Sequence, residues 1–297
     1  MPRSNTTSTA PQTSQPLADH LAEPTRLGDE ISVTGKWFAT EKTGRLRRDH
    51  SSETLQQQWA EIHAEATADS GVLSTEVNQA VGQEAVVVHQ VFENADAAVD
   101  YFGRITTDLP ARLGAIGRPD LQMVRGVSIP DAARAAIEST GLDVALSEHL
   151  FGFVKHDHRL PDPSRAINVT AKWTVKPDDA ATLDELAHWW QMVGTDAFTL
   201  EEGMVRFEAY RVAGEDALVI HEVFDDTAEL KFHLTKGTAD RYKSQIDRIA
   251  APERYYFRGP VSRLIRTYSK FMRLPATYSN RSDHAMRAGG TMSDGLA

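Results

Sequence analysis

The chain states one long passage twice. "EAVVVHQVFENADAAVDYF", beginning at Glu84, returns as "DALVIHEVFDDTAELKFHL", beginning at Asp216. A shift of 132 residues places Gly71 on Gly203, Glu76 on Glu208, Gly82 on Gly214, His89 on His221 and Val91-Phe92 on Val223-Phe224. With a further slip of one residue Pro119 meets Pro252 and Arg125-Gly126 meets Arg258-Gly259, while "VTGKW" ending at Trp37 answers "VTAKW" ending at Trp173. A period this long marks a duplicated domain, not a short-period solenoid.

Each copy reads strand, helix, strand, strand, helix, strand. In the second, "AINVTAKWTV" alternates, with Ile167, Val169, Ala171, Trp173 and Val175 on one face. "PDDAATLDELAHWWQMVGTDAF" opens with Pro177 and acidic residues and carries Leu183, Leu186, Ala187, Trp190 and Val193 at helical spacing. "GMVRFEAYRV" and "DALVIHEVF" form a hairpin about Gly214-Glu215. "DDTAELKFHLTKGTADRYKSQIDRI" is helical with a break near Gly237, and "PERYYFRGPV" closes as a strand. This βαββαβ order predicts an α+β fold of two tandem ferredoxin-like repeats whose antiparallel sheets cover one another as an α+β barrel. The boundaries expected are a disordered tail over 1–28, a first repeat over 29–129, a helical connector over 130–165, a second repeat over 166–261, and a C-terminal helix and disordered tail over 262–297.

The 297 residues carry a formal charge of −10, which disfavours nucleic acid or an anionic membrane as partner. With no cysteine there is no disulfide, thiolate nucleophile or iron–sulfur cluster. No apolar run is long enough to span a bilayer, and the polar opening lacks the core of a secretory signal, so a cytoplasmic protein is expected. The basic run Lys42, Arg45, Arg47 and Arg48 reads as a solvated loop. The His156 and His158 pair in "KHDHRLPDP" reads as solvated linker rather than metal site, and no metal is expected. Gly-rich phosphate loops, nucleophile elbows and zinc-helix motifs are missing.

The hairpins permit a register calculation. With Gly214-Glu215 at the tip, opposing residue numbers sum to 429, which sets Glu208 against His221, Tyr210 against Val219 and Arg206 against Val223; the first copy sets Glu76 against His89. Period 2 then sends Val205, Phe207, Ala209, Leu218, Ile220 and Phe224 to the helix side, interrupted by Arg211 and Glu222. Arg206, Glu208, Tyr210 and His221 go to the barrel interior with Thr170 and Lys172. A Glu–His pair there is either a structural polar layer, with the histidine's pKa raised, or a carboxylate-oriented base or metal or haem ligand.

The hairpin followed by "HEVFDDTAELKFHL" resembles the antibiotic biosynthesis monooxygenase-like family of the dimeric α+β barrel superfamily, here as a tandem duplication. The matching features are Gly203 opening the second strand, Phe224 ending the third, the Asp225-Asp226 cap and the His233-Leu234 pair. The first copy keeps Gly71, Phe92 and Glu93-Asn94 but has Tyr101-Phe102 in place of His-Leu. The resemblance implies cofactor-independent oxidation by O2 of an activated aromatic, quinol or polyketide-type molecule, in a pocket between helices and sheet. It implies His233, or His221 with Glu208, as base, Tyr210 or Arg206 as donor, and Trp173, Trp190 and Phe224 as apolar wall. The implied partner is a small hydrophobic or aromatic molecule. No cofactor is expected; related barrels bind haem, which stays open here. The alternative of another class is a non-catalytic ligand-binding, regulatory or assembly barrel. The His233/Tyr101 difference favours one working pocket, in the second copy. A duplicated unit can close its barrel within one chain as a monomer, or between chains as a homodimer.

Overall fold

The computed structural model describes residues 28–40, 52–66, 71–107, 109–114, 116–155, 162, 164–177 and 181–280. The basic run at 42–48, His156 and His158 lie outside them. The first repeat runs β1 (Ile31–Ala39), α1 (Ser52–Ala66), β2 (Val72–Gln79), β3 (Ala85–Phe92), α2 (Ala95–Ile105), a π-helical turn at Leu109–Leu113, and β4 (Gly117–Gly126). Then come α3 (Asp131–Glu138) and β5 (Val144–Val154). The second runs β6 (Ile167–Val175), α4 (Leu183–Leu200), β7 (Met204–Val212), β8 (Ala217–Phe224), α5 (Thr227–Thr235), α6 (Thr238–Ile249) and β9 (Ala250–Arg258), followed by α7 (Arg263–Phe271) and β10 (Ala276–Ser279). Among the described residues no helix is long and apolar enough to cross a membrane.

Local chemistry accounts for the boundaries. Gly82 and Gly214 sit at the hairpin tips with φ of 71° and 74°, a region costly for residues with a Cβ. Asn94 caps α2 by accepting from the Ala97 N–H, and Asp226 caps α5 by accepting from Ala228 and Glu229. β3 and β8 are buried along their whole length, consistent with their nearly unbroken apolar runs.

Among the described residues ten strands join one sheet in the order β10-β9-β6-β8-β7-β5-β4-β1-β3-β2. Its two ends approach each other through an Ala80–Ser279 bridge and the Val81 N–H, 2.7 Å from the Tyr278 carbonyl, so the sheet curls into a nearly closed barrel. The hairpin registers agree with those read from sequence: Glu208 opposes His221, Tyr210 opposes Val219, Arg206 opposes Val223, and Glu76 opposes His89.

Two expectations change. The segment 130–165 is more than a helical connector, because its β5 lies parallel to β4 and antiparallel to β7, seaming the repeats together. In the same way β10, within the expected tail segment, lies parallel to β9 and bridges back toward β2. Each unit is therefore βαββαβ followed by a helix and a strand given to the other unit's edge. Second, a bulge between Met204 and Arg206, repeated between Val72 and Ser74, shifts the strand phase. Met204 rather than Val205 consequently joins the helix-side core.

One apolar core lies under each set of helices. Fully buried rings such as Phe207, Phe224 and Phe257 each contribute roughly 1.5–3 kcal/mol through area removed from water. A third, smaller cluster including Met123, Tyr210, Val219 and Tyr256 lies inside the barrel. The remaining barrel interior is polar.

Candidate functional site

In the second repeat the helices do not fill the space above the sheet. A pocket of about 630 Å³, counted to its open mouth, lies between β6, β8, β9 and helices α4 to α7. Trp173, Trp190, Tyr255 and Phe257 make its walls, and Leu230, Leu234 and Met272 line it from the helices and the segment after α7. Trp173 and Trp190 meet edge to face at 5.5 Å between ring centroids. Trp190 Nε1 is buried without a hydrogen-bond acceptor among the described residues. Phe224 does not line the pocket; its ring lies 5.2 Å from that of His233 and backs it from below.

The polar floor is Glu222 and His233. Glu222 comes from β8 on the helix side, the position where an acid interrupts the apolar alternation. His233 is 1% exposed on α5. Its Nδ1 lies 2.7 Å from Glu201 Oε2, and its Nε2 lies 3.2 Å from Glu222 Oε1. Burial alone would lower its pKa, but the charge of Glu222 and the hydrogen bond to Glu201 outweigh this and raise it to about 10. His233 is thus an imidazolium at neutral pH. Burial would raise the Glu201 pKa, but the bond and charge of His233 prevail and lower it.

The helix break at Gly237 serves this arrangement. Glu201 Oε1 accepts the Thr238 N–H at 2.6 Å, at the start of α6. A Cβ at Gly237 would fall 2.5 Å from that oxygen and 2.8 Å from His233 Cα, so only glycine admits the approach. Sequence reasoning missed Glu201 altogether. It noted Glu222 only as an interruption, although an acid at a period-2 apolar position was the available signal.

The same step in the first repeat is neutral. Gln90 stands where Glu222 does and Tyr101 where His233 does, and Gln90 Nε2 donates to the Tyr101 hydroxyl at 2.5 Å. Tyr101 is fully buried, and burial holds its hydroxyl protonated. Trp37 and Trp59 repeat the edge-to-face tryptophan pair at 5.2 Å.

The other predicted site residues lie on the opposite face of the sheet, inside the barrel. Although Glu208 opposes His221 in register, the two side chains do not bond. Glu208 instead accepts from the Tyr210 hydroxyl at 2.7 Å and pairs with Arg206 at 2.8 Å. His221 Nδ1 lies 3.2 Å from Thr170 Oγ1 and 3.1 Å from the Val169 carbonyl, and His89 repeats the threonine contact with Thr34 at 2.8 Å. The expected rise in the His221 pKa is reversed: burial, then the charges of Arg125, Arg206 and Arg258, push it well below its ordinary value. His221, Glu208, Tyr210 and Arg206 therefore cannot act on a molecule held beside His233.

Neither histidine environment suits haem. His233 has both ring nitrogens committed to carboxylates. Beside His221 and His89 the cleft is lined by Ser32, Arg125, Arg206 and Tyr210 rather than by apolar walls for a porphyrin face. Among the described residues no group of three or more His, Cys, Asp or Glu is placed to hold a metal ion.

No family model matches the chain, and no curated protein does. Among solved structures it is similar to a protein of Fusobacterium nucleatum described as a candidate monooxygenase, at 14% identity, 76% of this chain, 90% of that one and a TM-score of 0.48. An anthrone oxidase-like protein matches at 11% identity over 78% of this chain and 90% of its own, TM-score 0.44. A candidate monooxygenase of Lactobacillus acidophilus matches at 13% identity, 75% and 90% coverage, TM-score 0.40. Function has to be read from the pocket itself.

Proposed function

We propose that the second repeat is a cofactor-independent monooxygenase that oxidises a small activated aromatic with O2 in the pocket above Glu222 and His233. The observation that carries this reading is a carboxylate, Glu222, set against an imidazolium at the floor of an apolar, aromatic-walled pocket. An anthrone-type methylene is acidic because its anion delocalises into the ring system. Glu222 takes a proton from that carbon. His233 holds the carboxylate in place and, with the unpartnered Trp190 N–H, stabilises the anion formed.

The substrate anion then supplies the electrons. It passes one electron to O2, and the resulting radical and superoxide join to form a C–O bond. The peroxide oxygen recovers the proton from Glu222. Glu222 next removes the second proton from the same carbon while the O–O bond breaks; the departing hydroxide takes that proton and leaves as water. In sum, one methylene group and one dioxygen give one carbonyl group and one water, the methylene carbon being oxidised and both oxygen atoms reduced. His233, charged and paired with both carboxylates, positions and stabilises rather than serving as the base first expected.

The test is oxygen uptake by the purified protein with anthrones and quinols, alongside its absorption spectrum. The expected result is carbonyl or quinone product in step with oxygen consumed, without a Soret band, and loss of uptake in Glu222→Gln. Tight binding of the same aromatics with no uptake would move the pocket to the ligand-binding reading.

A further inference from the structure

The internal duplication leaves one guanidinium inside the barrel without a bonded partner. Arg258 of β9 and Arg125 of β4 occupy the same step of the two repeats, as do Glu76 and Glu208. Arg258 reaches across to Glu76 at 2.9 Å. The symmetric partner of Arg125 would be Glu208, but there the second repeat has changed. Where the first repeat has Ser74 and Asn78, the second has Arg206 and Tyr210, and both engage Glu208. Arg125 is displaced as a result. It is 3% exposed, and it makes no ion pair or side-chain hydrogen bond with any described residue. Its guanidinium carbon lies 5.6 Å from the Tyr210 ring centroid, which offers only a weak cation–π contact.

Glu208 acts on Arg125 electrostatically from a distance, but a buried guanidinium whose N–H groups meet no acceptor calls for one. Arg125 borders a small open cleft that it shares with Ser32, His89, Arg206, Tyr210 and His221. Arg206 is already balanced by Glu208 and Arg258 by Glu76, and His221 is held neutral. Glu30 lines the same cleft, so the formal charges there balance, yet Arg125 alone of the three arginines has no bonded carboxylate. With that carboxylate in the cleft, a monoanion suits Arg125 better than a phosphate dianion. A guanidinium matches a carboxylate in its planar, two-pronged geometry.

We propose that the barrel interior is a binding site for a small monocarboxylate, held by Arg125 with Ser32 and the two strand histidines beside it. This site is on the opposite face of the sheet from the aromatic pocket and stands or falls apart from the oxygenase reading.

The experiment is titration calorimetry on the full chain at pH 7 and low ionic strength, with acetate, benzoate, phosphate and chloride as probes. The imidazole NMR resonances are followed on the same samples. Saturable one-to-one binding of acetate or benzoate is expected, with phosphate and chloride weaker. The signals of His89 and His221 should move while those of His233 stay. Arg125→Met should weaken binding by about tenfold or more, the loss of one charge-assisted pair. Absent saturation, an undiminished affinity in Arg125→Met, or movement of His233 instead would each overturn the site. If Arg125→Met does not fold, the resonances of the unaltered protein decide.

Discussion

Glu222 and Gln90 stand at the same step of the two repeats, and each faces the helix residue at the matching step: His233 3.2 Å away in one, Tyr101 2.5 Å away in the other. The duplication thus holds a charged and a neutral edition of one contact. Glu222→Gln keeps size and shape while removing the proposed base. Oxygen uptake with a substrate saturating the pocket should fall about 10²–10⁴-fold, the usual contribution of general base catalysis. Affinity for the aromatic should change little, and an unchanged rate would exclude Glu222 as the base.

His233 predicts a pH dependence of stability with a definite sign. Its pKa is about 10 in the folded protein against an ordinary 6.5. A raised folded pKa stabilises the fold fully below 6.5, and that stabilisation is lost as pH rises toward 10. Glu201, lowered from 4.5, contributes above its ordinary value and is lost as pH falls below it. Chemical denaturation from pH 6 upward should therefore show stability declining with a slope of about one proton. In His233→Gln that decline should vanish; a decline of the same slope would place the titration elsewhere.

Leu234 lines the pocket and is only partly buried, so it can be enlarged with little disturbance of the core. Leu234→Trp should fill the cavity, leaving thermal stability within about 1 kcal/mol of the unaltered protein while aromatic ligands bind far more weakly. Quenching of tryptophan emission on ligand addition, read through Trp173 and Trp190, measures it. Undiminished binding would show that ligands sit outside this pocket.

The fold was legible in sequence because the information was local or periodic. Glycine tips set the hairpins, and the hairpins set Glu208 against His221 without reference to anything distant. What escaped depended on contacts far apart in the chain. β5 was hidden within a connector because "VALSEHLFGFV" gains its strand character from pairing with both β4 and β7. Register also places side chains opposite one another without choosing their bonds. Glu208 went to Arg206 and Tyr210 because both reach it from its own strand, and His221 to a threonine on β6. His233 and Trp190 were found through motif and spacing, whereas Glu201 enters the site only by the geometry of the α5–α6 break.

The seam between the repeats has a point where a single methyl group should be felt. Gly152 of β5 opposes Glu208 of β7, and a Cβ there would lie 2.3 Å from the Phe207 carbonyl and 2.8 Å from Glu208 Cα. Both neighbours are backbone, so neither can rotate aside. Gly152→Ala should force the strands apart and cost about 1–3 kcal/mol, and Glu208 would be drawn from Arg206 in the process. Gly103, exposed on α2 with open space where its Cβ would be, supplies the contrast. Gly103→Ala should stabilise by roughly 0.5–1 kcal/mol through helix propensity. Urea unfolding of the two variants measures both. Equal stability of Gly152→Ala and the unaltered protein would mean that the β5–β7 seam is looser than its registered contacts imply.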